Sequence, residues 1–153
     1  MKLSVRGEYA LRALITLGES YDQGIVRIQT ISERQNIPKR FLEQILNDLR
    51  SGGFVESRRG MSGGYRLARP PQKITLAALI HHIQGALPAT PQAGAKNSPQ
   101  GHRGDEAARA IQSVLQEVRD AMFGVLEQVT LADLCERARN LRSDAPGGTD
   151  YMI

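Results

Sequence analysis

Between residues 39 and 50, Lys39, Arg40, Glu43, Gln44, Asn47 and Arg50 are spaced so that Leu42, Ile45, Leu46 and Leu49 fall on a separate apolar stripe. On a helix this pattern buries one side and offers a row of polar groups on the other. Such a helix fits the DNA major groove, where the edges of all four base pairs are distinguishable. Lys39, Arg40, Glu43 and Gln44 lie in its first two turns, the part that normally meets bases. Downstream, Arg58-Arg59-Gly60-Met61-Ser62-Gly63-Gly64 places two guanidinium groups on a glycine-rich tip. A thin basic loop can enter a narrow minor groove, where negative potential is enhanced. Its glycines let backbone approach phosphate without a side chain in the way.

Other chemistries find little support. There is no nucleophile–base pair, and Gly60 to Gly64 lacks the lysine and spacing of a phosphate-binding loop. No enzyme is expected. His81 and His82 are adjacent, so on a helix they point about 100° apart, and His102 stands in another segment; no metal site is expected from them. Cys135 is the one cysteine of 153 residues, which excludes an intrachain disulfide. It shares a helical face with Leu131, Leu134 and Ala138 and reads as a small buried hydrophobe.

Charge is divided along the chain. Residues 1–75 hold 13 Lys/Arg and 7 Asp/Glu, a net of +6, whereas residues 76–153 hold 7 and 9, a net of −2. A basic half beside a mildly acidic one points to a polyanion-binding end. Trp is absent and aromatics are 5% of the chain, so stacking on single strands is not the expected mode. No apolar run reaches the roughly 18–20 residues of a membrane span, and the first residues lack the pattern of a secretory signal. A cytoplasmic protein with no membrane partner is expected.

The elements that must position these residues are legible. Val5, Tyr9, Ala10, Ala13, Leu14 and Leu17 mark a helix over 4–20 capped by Ser4. A short helix follows over 28–35, and Asn36 suits the left-handed turn after it. Pro38 is expected as the first residue of the third helix, and Gly52-Gly53 ends it. Residues 54–57 and 65–68 read as the strands of a hairpin. Thr75 caps a fourth helix with Leu76, Leu79, Ile80 and Ile83 inward and Gly85 at its end. Residues 86–104, rich in Pro, Gly and Ala, read as a mobile loop. A long helix over 105–128 carries Ile111, Val114, Val118, Ala121 and Val125 at three-four spacing, flanked by Leu115, Met122 and Val129. Thr130 caps a last helix over 131–140. The expected fold class is mainly α with a small β-hairpin wing, a winged helix-turn-helix plus a long dimerisation helix. The expected division is 1–85 for DNA binding, 86–104 for the loop, 105–145 for helical dimerisation and 146–153 for a tail.

The strings LSVRGEYALRAL, TISERQNIPKRFLEQIL, LRSGGFVESRRG, SGGYRLA and TLADL resemble the Rrf2 family of bacterial transcription regulators. The resemblance covers nearly the whole chain apart from 86–104 and part of the tail. It implies that Ser4, Arg6 and Tyr9 lie against the DNA backbone, that Glu43 and Gln44 meet the major groove, and that Arg59 enters the minor groove. Together with the residues above, the candidate DNA-binding set is Ser4, Arg6, Tyr9, Arg27, Lys39, Arg40, Glu43, Gln44, Arg50, Arg58, Arg59, Gly60 and Ser62. Ile111, Val114, Leu115, Val118, Ala121, Met122 and Val125 are the candidate dimer seam. Pro38 and Arg40 replace small hydroxyl residues common in the iron–sulfur assembly branch, so an operator sequence does not carry across.

Cluster-binding members of that family carry three cysteines between the fourth and the long helix. This segment has none here, and the positions matching the last cysteine and a further ligand fall near Arg109 and Gln112. Iron–sulfur clusters are held chiefly by thiolates, so no cofactor is expected. The ending Asp150-Tyr151-Met152-Ile153 resembles tails of cluster-free members such as the cysteine-metabolism repressor, which implies a protein effector such as cysteine synthase. The reading is a homodimeric repressor that binds an inverted-repeat operator of double-stranded DNA without a cluster. Two alternatives stay open: an iron–sulfur or redox-sensing regulator with atypical ligands, and a non-specific architectural DNA-binding protein.

Overall fold

Residues 2–85 and 104–145 are described by a computed structural model. The expected loop over 86–104, with His102 in it, and the tail 146–153 lie outside these residues, except for Gly104.

The first helix, α1, spans Val5–Glu19. Ser4 caps it as expected: the Gly7 N–H donates to Ser4 Oγ at 3.0 Å. The buried face runs through Gly7, Ala10, Ala13, Leu14 and Leu17. Val5, expected on that face, is exposed, because it lies beside the stripe in the first turn.

Helix α2, Ile28–Gln35, and helix α3, Lys39–Ser51, form the helix-turn-helix. Asn36 makes the turn at φ 53° and ψ 49°, the left-handed region that asparagine tolerates. The Ser32 hydroxyl donates to the Ile37 carbonyl at 2.6 Å and closes the turn. Pro38 departs from expectation. Its ψ of 129° is extended, so it is the cap that precedes α3 and Lys39 is the first helical residue. The Leu42 N–H donates to its carbonyl at 3.1 Å, the first bond of the helix.

Strands β1, Val55–Arg58, and β2, Gly64–Leu67, pair antiparallel from Val55↔Leu67 to Arg58↔Gly64. Each strand is displaced by one residue from the expected span. Phe54 is buried just before the ladder, and Ala68 N–H donates to its carbonyl at 2.9 Å. Val26 adds a bridge to Tyr65 through two reciprocal N–H···O bonds of 2.8 Å. The hairpin is therefore fastened to the chain that leads into α2.

Helix α4 spans Leu76–Gln84 and is capped by Thr75, whose Oγ1 accepts from Ala78 N–H at 3.2 Å. Leu79 and Ile80 are buried as expected, together with Ala77, whereas Leu76 and Ile83 are half-buried. Helix α5 spans Gly104–Gln128, and α6 spans Leu131–Ser143, past the expected end at Asn140. Thr130 and Asp133 form a reciprocal capping box at the start of α6. The Thr130 backbone N–H, then its hydroxyl, holds the Asp133 carboxyl below the usual carboxylate range.

Leu14, Leu17, Ile31, Ile37, Leu42, Leu46, Leu49, Ile74, Leu79 and Leu131 are almost wholly shielded and make one core. Burying such a side chain stabilises by about 1.5–3 kcal/mol. Leu131 and Cys135 bring α6 into that core, beside residues of α1, α2, α3 and α4. A second bridge, Thr75 to Thr130, ties the start of α4 to the junction between α5 and α6. Its bonds, Leu76 N–H to Val129 O and Leu131 N–H to Ile74 O, are both 2.8 Å.

Candidate nucleic-acid interface

Helix α3 turns Leu42, Ile45, Leu46 and Leu49 into the core, which leaves Lys39, Arg40, Glu43, Gln44, Asn47 and Arg50 exposed. The apolar stripe thus determines which polar groups face outward. Arg40 lies over the exposed ring of Phe41, with the guanidinium carbon 5.1 Å from the ring centroid. This cation–π contact limits the freedom of a side chain on the outer face. Phe41 was not foreseen as part of this surface. The signal was its place between Arg40 and the buried Leu42, one residue off the apolar stripe.

The hairpin supplies the second part. Arg58, Arg59, Gly60, Met61 and Ser62 are all exposed at its tip. Gly60 has φ 106°, a conformation that L side chains rarely adopt. Gly64 serves a different need. A Cβ there would stand 2.3 Å from the Val26 carbonyl oxygen, so only glycine allows the bridge between β2 and Val26. Among the described residues, Lys39, Arg58 and Arg59 make no ion pair, so their charge is available to an outside anion.

A cleft of about 430 Å³ opens between the start of α2, the end of α3 and the wing, and Arg27, Gln29, Arg50, Ser57, Arg58 and Arg59 line it. Four guanidinium-bearing residues thus border one concavity, although they are scattered over 33 positions of the chain. Of the four, Arg58 and Arg59 stand at the exposed tip, where a phosphate backbone is drawn by charge.

Other expected contacts are engaged within the protein. Ser4 caps α1. Arg6 Nη2 lies 3.2 Å from Asp48 Oδ2, which joins α1 to α3. Tyr9 is half-buried against the core. Arg27 donates to the Met61 carbonyl, and Arg50 donates to Ser57 and Asn47.

A family model described as Rrf2, an iron-dependent transcriptional regulator, matches residues 3–137. The chain belongs to the Rrf2 family. Slr0846 of Synechocystis, an HTH-type transcriptional regulator by name, is 33% identical over 157 residues and is covered completely, as is this chain. The regulator CymR of Bacillus subtilis is 33% identical over 134 residues, covering 88% of this chain and 89% of its own. Among solved structures, IscR of T. potens superimposes with a TM-score of 0.72 at 31% identity, covering 93% of this chain and 91% of that one. The B. subtilis CymR structure gives 0.71 at 29% identity, with 90% and 98% covered. The winged-helix fold, transcription regulation and DNA binding follow for this Rrf2 protein, and its relatives are named as regulators rather than enzymes.

The iron in the family's description requires ligands, and the donors of this Rrf2 chain do not fit a thiolate-held cluster. Its one cysteine, Cys135, is buried under α1, with its thiol directed at the Ile15 carbonyl 3.6 Å away. Burial, and next the nearby Glu19 carboxylate, pushes the thiol up to about 11. Such a thiol resists becoming the thiolate that iron needs. His82 is committed to the Asp48 carbonyl at 2.9 Å, and His81 is exposed on α4. Among the described residues, no three His, Cys, Asp or Glu side chains converge as a metal site. Nor is any described helix long and apolar enough to cross a membrane.

Helix α5 has the opposite problem to α3. None of its residues is buried. Ile111 is 61% exposed, Val114 58%, Val118 48% and Val125 64%. Leu115 and Ala121 are exposed as well, and Met122 is half-buried. Phe123, not foreseen in the seam, is exposed too and lines a groove against α4 with Thr75, Ala77, Ala78, His81 and Glu127.

Proposed function

We propose that this chain is a cluster-free repressor that grips an inverted-repeat operator as a homodimer in the cytoplasm. The observation that carries the reading is an exposed polar face on α3 together with a wing whose Arg58 and Arg59 make no ion pair among the described residues, the wing and the Arg50 end of α3 bordering one cleft. Lys39, Arg40, Glu43 and Gln44 enter the major groove, where their donors and acceptors distinguish bases. Arg59 enters the minor groove, Arg58, Gly60 and Ser62 hold the backbone beside it, and Ser4 and Tyr9 flank the start of α1 against phosphate.

The exposed stripe Ile111, Val114, Leu115, Val118, Ala121 and Val125, edged by Met122, forms the dimer seam. Isolated exposed apolar residues are ordinary, but a contiguous row along one helix marks an interaction surface. A two-fold dimer presents two recognition helices to successive major grooves, ~34–36 Å apart or a multiple of that. Residues 1–85 act as the DNA-binding head and 105–145 as the dimerisation region. Kinship with CymR, the global cysteine regulator of B. subtilis, supports a signal from cysteine metabolism, and the resemblance of the tail Asp150-Tyr151-Met152-Ile153 makes cysteine synthase the protein effector to test first.

Selection of duplexes from a random pool by the purified protein tests the reading. Inverted repeats are the expected product, bound by a protein that is colourless and iron-free when made anaerobically. Arg59→Ala is expected to lose roughly 10- to 100-fold on the selected operator and far less on random duplex. Equal loss on both would make Arg59 a phosphate clamp. A protein that enriches no sequence is architectural, and a stoichiometric iron–sulfur absorption band sinks the cluster-free assignment.

A further inference from the structure

Arg27 and Arg50 have the charge and exposure of DNA contacts, yet each is already bound to the wing. Arg27 Nη2 donates to the Met61 carbonyl at 3.1 Å, which connects the residue before α2 to the outermost turn of the hairpin. Arg50 Nη1 donates to Ser57 Oγ at 3.0 Å, and its Nη2 donates to Asn47 Oδ1 at 2.8 Å. One planar guanidinium thereby links the recognition helix to strand β1. The two arginines stand at the borders of the same cleft.

We infer that Arg27 and Arg50 are positioning residues: they set the angle and height of the wing against α3, and they do not add phosphate contacts of their own. The inference rests on the reading of α3 and the wing as the DNA interface. Only the tip has few other restraints. The ladder has four residue pairs, and the Val26–Tyr65 bridge fastens it at the third, one pair short of the turn, so residues 59–63 extend past the last fixed point. Met61, at the tip, is almost fully exposed and packs on nothing. A two-stranded ribbon of this size is marginally stable alone. Without the struts it would sample a range of tilts, and Arg59 would reach the minor groove in a fraction of them. The affinity for an operator falls in proportion to that fraction.

Arginine is required for this at position 50. A fork of N–H groups can serve Ser57 and Asn47 together, whereas a lysine ammonium is a point charge on a flexible stem without that planar geometry. A phosphate contact tolerates the exchange because the charge survives. The two roles also differ in salt dependence. Loss of one phosphate contact lowers the slope of log K against log salt by about 0.9. Loss of a strut leaves the number of phosphates neutralised unchanged once the complex has formed.

The experiment compares wild type, Arg27→Ala, Arg50→Lys, Arg50→Ala, Ser57→Ala and the double variant Arg50→Ala/Ser57→Ala. Binding is measured to an operator selected by the wild type and to a scrambled duplex, over a salt series, after thermal melts show each variant folded. The expected result is a roughly 3- to 10-fold loss of operator affinity for each single variant, the range that one or two hydrogen bonds imply. Arg50→Lys should be as weak as Arg50→Ala. The double variant should be no weaker than either single, because both remove the same link. Salt slopes should stay at the wild-type value, and affinity for scrambled duplex should be nearly unchanged. Wild-type affinity in Arg50→Lys, or a slope lower by about one in Arg27→Ala and Arg50→Ala, overturns the inference and makes these residues phosphate contacts. A wild type that does not discriminate operator from scrambled duplex overturns the interface reading itself, and is seen before any variant is compared.

Discussion

The His82 ring of α4 donates through Nε2 to the Asp48 carbonyl at the end of α3, 2.9 Å away. The same ring lies 5.3 Å from the centre of Phe54. Asp48 in turn holds Arg6 of α1, so three helices meet at the base of the recognition helix. This contact leaves no room beside it. A Cβ at Gly52 would stand 2.5 Å from the His82 ring. Gly52→Ala is therefore expected to displace His82 and destabilise by about 1–3 kcal/mol, as overpacking does. Denaturant titration checks it. Unchanged stability would show that the ring moves aside freely. The Arg6–Asp48 pair is half-exposed and should count for less: Arg6→Ala is expected to cost under about 1 kcal/mol of stability.

Gly64→Ala is expected to be more damaging to function than to the core. The clash is with the Val26 backbone, which cannot swing away as a side chain can. The bridge to Tyr65 should open and the wing should detach from α2. Operator binding should fall at least tenfold, with roughly 1–3 kcal/mol of destabilisation. Amide exchange at Val26 and Tyr65, whose N–H groups form the bridge, should quicken. Protection at wild-type levels in a folded variant would refute this account.

Val118→Glu places a carboxylate in the exposed stripe of α5. It should leave the head folded, since Val118 is not part of the core. The variant should be monomeric by light scattering at micromolar concentration and should lose the operator while keeping weak binding to a half-site. A wild type that is itself monomeric, or a variant that remains dimeric, would move the seam elsewhere.

Cys135 gives a prediction in pH. Its thiol is ordinarily near 9.0 and is pushed up to about 11 when folded. Because the folded value is the higher one, its share of stability is intact below about pH 9 and is lost as pH rises toward 11. Other groups titrate there too, so the comparison is with Cys135→Ala. The variant should be less stable at pH 8 because a cavity forms, and its melting temperature should fall less steeply between pH 9 and 11. Alkylation of the native thiol at pH 8 should be slow until denaturant is added. Rapid alkylation without unfolding would show the thiol open to solvent.

Most of the secondary structure was local in origin and so could be read from the sequence. Ser4, Thr75 and Thr130 cap helices because a hydroxyl three residues before a free N–H suffices. Asn36 turns left because its own side chain permits it. Leu42, Ile45, Leu46 and Leu49 repeat with the helix, and that repeat alone selects the outward face of α3. The charge division and the missing thiolates are properties of composition and need no coordinates. What depends on distant partners was not legible. Cys135 and Leu131 complete the head's core because α6 returns to α1, a contact separated by more than 100 residues. Arg27 and Arg50 read as basic surface in the sequence, since charge is visible there and direction is not. Only the tertiary structure brings the Met61 carbonyl and the Ser57 hydroxyl within hydrogen-bonding distance of them, because the hairpin folds back beside α2 and α3.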